Sequence, residues 1–190
     1  MRAVIAGILG GIVFFVWAAA AHMALPLGEM GMRQATAEDP VIAAMKENLP
    51  GPGIYSLPGL SGEQMGDAAA VAAYSAKAKA NPYAFFVYQP QGRDGMAMGG
   101  NLATQLVTDI LSAIVVAWVL SLGAIGFGRR VLASAALGAF SWLTISAPYW
   151  NWYRFPTEFT VATLVEQVVG WLLAGLAIAW WLGRSERRRA

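Results

Sequence analysis

The chain of 190 residues has no cysteine, a single histidine, His22, and only 13% charged residues. Without cysteine there is no disulfide, thiolate nucleophile, zinc-thiolate site, iron-sulfur cluster or c-type haem attachment. One histidine cannot build a bis- or tris-histidine metal centre within one chain. It also rules out Ser-His-Asp catalysis here, because His22 stands by itself at the end of an apolar stretch. Neither a phosphate loop nor a dinucleotide fingerprint occurs, and Gly51-Pro-Gly53 puts proline where a phosphate loop needs a free amide. The chain therefore reads as non-enzymatic. Soluble domains carry about 25% charged residues, so the low charge excludes an ordinary water-soluble domain as well.

What the sequence does contain is apolar, 57% of it. Four runs, residues 3–25, 101–123, 131–147 and 159–182, each approach the roughly 20 residues that a helix needs to cross a bilayer. They predict an all-α membrane fold, a four-helix transmembrane bundle, in three parts. Residues 1–25 form transmembrane helix 1, residues 26–100 a small α+β segment outside the membrane, and residues 101–190 transmembrane helices 2–4 with a basic tail. The first run also has the features of a cleavable signal, with small residues at Ala18 to Ala21. It continues to Leu25, longer than a usual signal core, which favours a retained helix.

The arginines set the orientation. Arg2 precedes the first run, Arg129 and Arg130 lie between the second and third, and Arg184, Arg187, Arg188 and Arg189 follow the fourth. All fall on one side if both termini are cytoplasmic, as the positive-inside rule requires. The net charge of +2 and pI of about 9.1 are thereby explained by the lipid bilayer as partner, not by nucleic acid. Trp180 and Trp181 mark one membrane surface. At the other, Tyr149, Trp150, Trp152 and Tyr153 crowd a loop over 148–156, as interfacial anchors or as a docking surface for lipid or a protein partner.

The outer segment has punctuated local structure. Asp39 as N-cap with Pro40 at the first helical position opens a short helix closed by Pro50. Residues 54–57 form a strand between glycine and proline breaks, and Ser61-Gly-Glu-Gln64 is a capping box opening an alanine-rich helix to about Ala80. Residues 83–88 form a second strand. Two strands and two short helices make a thin core, so the segment should lean on its own helices, on another copy or on a partner subunit.

Two constellations carry candidate chemistry. At 100° per residue, Asn101, Gln105, Thr108, Asp109 and Ser112 share one face of helix 2, and Thr160, Thr163, Glu166, Gln167, Gly170, Ala174 and Ala177 share one face of helix 4. Leu164, Val168, Trp171 and Leu172 fall outside that second arc. Both acids lie roughly 10–12 Å inside the outer helix ends, at about 1.5 Å per residue. A carboxylate in a bilayer costs at least about 2.5–3.5 kcal/mol, so each must face the bundle or water. The polar cluster Asp109, Glu166, Gln105, Gln167 and Thr163 reads either as an interhelical clamp, with the two acids facing one another across helices 2 and 4, or as the proton or cation site of a small transporter. No polar row continues on the inner half, which favours the clamp. The second constellation is Met30, Met32, Met96 and Met98 with His22 nearby, soft ligands suited to Cu(I) or flexible apolar filler. No other cofactor is implied. Gly7 and Gly11 offer a small-residue step for a helix contact or a dimer seam.

On Gly53-Ile-Tyr-Ser-Leu-Pro58, Pro148-Tyr-Trp-Asn-Trp-Tyr153 and Gly170-Trp-Leu-Leu-Ala-Gly175, the chain resembles a family of uncharacterised bacterial four-span inner-membrane proteins with one periplasmic segment between spans 1 and 2. The layout is similar to that of claudins and tetraspanins, whose loop cysteines are absent here. The resemblance implies location and architecture without an activity. The functional expectation is an accessory or interaction subunit of a membrane complex, or a homo-oligomer, with the periplasmic segment and aromatic loop as contact surface. The alternatives are a proton- or cation-handling transporter using Asp109 and Glu166, or a periplasmic-face Cu(I)-binding protein.

Overall fold

The computed structural model describes residues 1–187, with side chains described to Arg184. It is mostly helical and divides into two compact units: Met1–Arg33 together with the chain from Met96 onward, and Gln34–Gly95. The first unit holds α1 (Arg2–Met23), α4 (Gly99–Ser121), α5 (Phe127–Tyr153) and α6 (Thr157–Arg187). All four are long and apolar enough to cross a membrane, the hallmark of a multi-pass membrane protein. The boundary moves inward from the expected 26–100: residues 26–33 and 96–98 belong with the long helices.

Glycines decide which helices meet. Gly7 and Gly11 lie four residues apart and so share a face of α1. A Cβ at either would strike the backbone of α4, at Ile114 and Ile110 respectively. The small-residue step is thus spent within the chain, on α4, and is not free for a dimer seam. Gly10 faces the other neighbour, where a Cβ would stand 2.7 Å from Ile178 Cγ1 of α6. The Gly10-Gly11 pair therefore lets α1 take a helix on each of two sides.

Helix α6 also has two neighbours. Gly170 lies under the rings of Phe14 and Trp17, and Phe14 packs on Trp171 at a centroid distance of 5.0 Å. Toward α5, Gly175 meets Ser134, and Gly138 of α5 meets the Gln167 carbonyl. The buried arc of α6 is consequently wider than one stripe and includes Trp171, which the helical projection placed outside.

The order of closest backbone packing is α4–α1–α6–α5. Side chains of α4 complete the bundle from across it, with Ala113, Val116, Ala117 and Leu120 in one buried cluster with Trp171, Ala174 and Ile178 of α6. The glycine contacts make neighbours antiparallel, so Arg2, Ser121, Phe127 and Arg184 share one end and His22, Gly99, Tyr153 and Thr157 the other. Near the first end, Ile178 and Leu182 are fully buried and cluster with Val116, Ala117 and Leu120. Arg130 sits there too, in the first turn of α5 and 1% exposed, rather than in a solvated loop as its place between two apolar runs suggested. Trp180, beside Trp181, lies under the Arg184 guanidinium at 5.8 Å. Arg188 and Arg189 of the basic tail lie outside the described residues.

The span expected at 131–147 is longer at both ends, and this changes the aromatic loop. Residues up to Tyr153 continue α5 through Pro148. Proline's fixed φ is compatible with a helix, at the cost of the bond to the carbonyl four residues back and of a ring contact with that carbonyl. The helix ends where Arg154 turns left-handed, at φ 57°, with its N–H on the Tyr149 carbonyl. Tyr149, Trp150, Trp152 and Tyr153 therefore occupy the last turn of a helix.

In the second unit, α2 (Glu38–Asn48), β1 (Gly53–Leu57), α3 (Ala68–Ala80) and β2 (Ala84–Tyr88) follow in order. Helix α2 starts one residue before the expected Asp39 cap, with Ala37 at the cap position. The capping box forms: Gln64 N–H donates to Ser61 Oγ at 3.3 Å and Ser61 N–H to Gln64 Oε1 at 3.0 Å. It closes only a 3-10 turn ending at Gly66. Helix α3 is nucleated afresh by Asp67, whose Oδ1 accepts from Ala69 N–H at 2.9 Å, the usual N-cap bond. Strands β1 and β2 pair antiparallel with Tyr55 opposite Phe86 and Ile54 opposite Val87.

Candidate functional site

The sequence-defined polar cluster divides into three in the structure. Gln105 Nε2 donates to Asp109 Oδ1 at 2.8 Å, within α4. Glu166 Oε2 stands 3.3 Å from His22 Nε2, joining α6 to α1, and the Glu166 carbonyl accepts from the Trp17 indole at 3.0 Å. Gln167 turns to α5, with Oε1 3.2 Å from Ser141 Oγ. Thr163 Oγ1 donates back to the Thr160 carbonyl of its own helix. No hydrogen bond joins Asp109 to Glu166 directly, although their charges are within electrostatic range. Helix α1 packs against both, meeting Asp109 at Gly11 and Glu166 at Trp17. Six residues of α1 separate these levels, about 9 Å at the α-helical rise.

Asp109 is the outermost buried residue of α4, 6% exposed, and its Oδ2 has no hydrogen-bond partner. From Asn101 to Gln105 the helix is exposed on all sides. Toward Ser121 it is packed by Ala113, Val116, Ala117 and Leu120.

The two methionine pairs sit on different elements. Gly31, at φ 79°, makes a turn in which a Cβ would stand 2.8 Å from Phe159 Cβ, so Met30-Gly-Met32 is a turn laid against the start of α6. Met96 and Met98 precede α4, with α1 between the two helices. His22 is engaged with Glu166 and lies against the Gly28 turn, with its side chain about half exposed. Among the described residues there is no group of three His, Cys, Asp or Glu side chains placed to hold a metal ion.

The aromatic helix end is a connected set. Tyr149 packs on Tyr153 at 5.6 Å and on Phe155 at 5.5 Å, Phe155 packs on Phe159 at 5.6 Å, and Trp150 Nε1 donates to Thr157 Oγ1 at 3.2 Å. Trp152 projects away from the set, 74% exposed.

In Gln34–Gly95 only Pro58 is buried. A groove of about 830 Å³ runs between α2 and the hairpin, lined by Val41, Met45 and Leu49 on one wall and Leu57, Phe86 and Val87 on the other. Beside the groove the hairpin is bare, with Ile54 67% and Val87 66% exposed. The sequence did carry a signal for this groove, the i, i+4, i+8 spacing of Val41, Met45 and Leu49. Comparison with protein-family models, curated proteins and solved structures gives no match for the chain.

Proposed function

We propose that this chain is a non-enzymatic integral protein of a bacterial inner membrane, with both termini cytoplasmic, acting as an interaction subunit of a membrane complex or as a homo-oligomer. The periplasmic unit and the aromatic end of α5 supply its contact surface. The observation that carries this reading is the state of Gln34–Gly95. Its helix α3 is capped and its strands are paired in register, yet it buries one residue and exposes an apolar groove. Exposed apolar area of this kind on an ordered unit marks an interaction surface.

The test is native mass spectrometry after gentle solubilisation, comparing wild type with Val41→Asp and Val87→Lys in the groove walls. Wild type should be recovered as an assembly of fixed stoichiometry, with itself or with another protein, and both variants as single chains. Recovery of wild type as a single chain from native-lipid nanodiscs would overturn the reading.

A second reading, ion handling at Asp109 and Glu166, draws on the unpartnered Asp109 Oδ2. It requires proton or cation flux in liposomes that Asp109→Asn abolishes. The apolar plug of Val116, Ala117, Leu120 and Ile178 between that carboxylate and the Arg2 end weighs against a continuous path.

A further inference from the structure

The end of the helical unit that gathers Arg2, Ser121, Phe127 and Arg184 holds a pocket that the fold does not fill. The connection from α4 to α5 closes over about 540 Å³, lined by Arg2, Ser121 and residues 122–126, a volume within the range of small-molecule sites. Helix α4 stops as Ser121 Oγ donates to the Trp118 carbonyl at 2.7 Å. The chain then runs through Gly123 and Gly126, where nothing lies within 4 Å of a built Cβ.

One charged side chain lines the pocket. The Arg2 guanidinium is half-buried and makes no hydrogen bond or ion pair among the described residues, whereas Arg130 of the same end is already engaged within the protein. No acid stands ready to answer Arg2. The acidic side chains described in this unit are Glu29, Asp109, Glu158 and Glu166, and Asp109 is twelve residues before Ser121, about 18 Å along α4 at the helical rise. A cation drawn partly out of water without a counter-charge is costly, so the pocket calls for an anion. In the same lining, the amides of Gly123, Ala124 and Gly126 donate to no backbone carbonyl.

A guanidinium fork with amide donors beside it suits the oxygens of a phosphate. No aromatic ring lines the pocket for a nucleobase to stack on. Its rim is apolar instead, with Leu122 67% and Phe127 51% exposed. Indoles collect at the headgroup level of a bilayer, and Trp118 and Trp180 stand at this end of α4 and α6.

We propose that this pocket binds a phosphate group, and that its source is an anionic phospholipid whose acyl chains lie along Leu122 and Phe127. Basic pockets between spans hold lipid headgroups in this way. The inference goes beyond the subunit reading and does not depend on the groove of Gln34–Gly95.

The experiment is native mass spectrometry of the full chain in mild detergent, with phosphatidylglycerol competing against phosphatidylcholine of the same acyl chains. Wild type should retain phosphatidylglycerol at least about fivefold in preference, the ratio equal to the roughly 1 kcal/mol of one basic residue beside an anionic headgroup. Arg2→Gln should erase the preference while retaining the wild-type melting profile, and Arg2→Lys should keep most of it. Ala124→Phe fills the pocket, leaves every charge in place and should erase the preference too, which decides the matter if Arg2→Gln fails to fold. Arg129→Gln, on an exposed arginine outside the lining, should leave it unchanged. Equal retention of the two lipids, or an Ala124→Phe chain that keeps the preference, overturns the proposal. So do equal losses from Arg2→Gln and Arg129→Gln, which would mean diffuse attraction to the whole basic end. Inorganic phosphate in large excess should not displace the lipid; displacement would make a free phosphate the ligand and overturn the lipid as its source. Val87→Lys should leave lipid retention unchanged, so the two readings fail separately.

Discussion

The packing of α4 on α1 depends on two bare glycines, and replacing them gives a graded test of the fold. A Cβ on Gly11 would stand 2.7 Å from Ile110 N and 2.9 Å from the Asp109 carbonyl oxygen, and one on Gly7 would meet Ile114 at its Cα and N. These neighbours are backbone, so neither can rotate away. The helix axes must part by about 1 Å, and a gap of 0.5–1 Å already forfeits a quarter to a half of each dispersion contact. Overpacking of this kind costs about 1–3 kcal/mol per site. At Gly10 the collision is with Ile178 Cγ1 and Cδ1, side-chain atoms with some freedom, so Gly10→Ala should fall at the low end of that range. Gly128 and Gly183 have nothing within 4 Å of a built Cβ, and their alanine variants should change stability by no more than about 0.5 kcal/mol, as exposed substitutions do.

Unfolding by titration with sodium dodecyl sulfate from mild detergent gives the ranking. Gly7→Ala and Gly11→Ala should both unfold earlier than Gly10→Ala, which should unfold earlier than Gly183→Ala. The Gly7→Ala/Gly11→Ala double variant should lose less than the sum, because once the helices part for one methyl the second needs little more room. If both single variants unfold with Gly183→Ala, then α4 is not seated on α1 as described.

Single cysteines at Ser75 and Ser185 should be labelled by an impermeant reagent from opposite sides of the membrane; labelling of both from one side would refute the four-span topology. Asp67→Ala should cost about 0.5–2 kcal/mol in local stability, seen as faster amide exchange over α3, while Ser61→Ala should leave α3 exchange unchanged because its box closes only the 3-10 turn. The purified chain should not compete with a chelator for Cu(I), since flexible methionines serve equally as apolar filler; competition that disappears when Met30, Met32, Met96 and Met98 are replaced would refute that. Asp109→Asn should leave stability nearly unchanged. Asp109→Leu should leave it unchanged or raise it in the detergent-purified chain, because a membrane interhelical hydrogen bond averages only about 0.6 kcal/mol and the variant removes a buried carboxylate oxygen that nothing satisfies; a large loss would mean that Asp109 is a clamp.

The long helices were legible because length and apolarity alone are enough to specify a membrane span. Their pairing was not, because glycine has no face of its own in a hydropathy pattern: Gly7, Gly10 and Gly11 declare two neighbours for α1 only when the opposing backbones are known. The same gap in the code hid Trp171. A helix with one partner buries one stripe, whereas α6 has two, so the large ring between them is enclosed. Matching depth suggested that Asp109 and Glu166 face each other, but depth counted along separate helices ignores the register of α1 between them. In the second unit, both strands and the end of α3 were readable from Gly, Pro and Asn punctuation. The start of α3 was not, because two consecutive caps, Ser61 and Asp67, compete in the sequence, and Gly66 between them decides for the later one.

Each unit by itself falls short of the burial its elements are built for, and in different ways. In Gln34–Gly95 the shortfall is apolar: a groove and a bare hairpin face that water would have to cover. In the helical unit it is polar: Asp109 Oδ2 is enclosed with no hydrogen-bond partner. Lipid can cover apolar surface and water can cover polar groups, but the proposed reading puts the apolar groove in water and the carboxylate in a bilayer. Under that reading a partner covers the groove, so Val87→Lys breaks the assembly and Asp109→Asn leaves it intact.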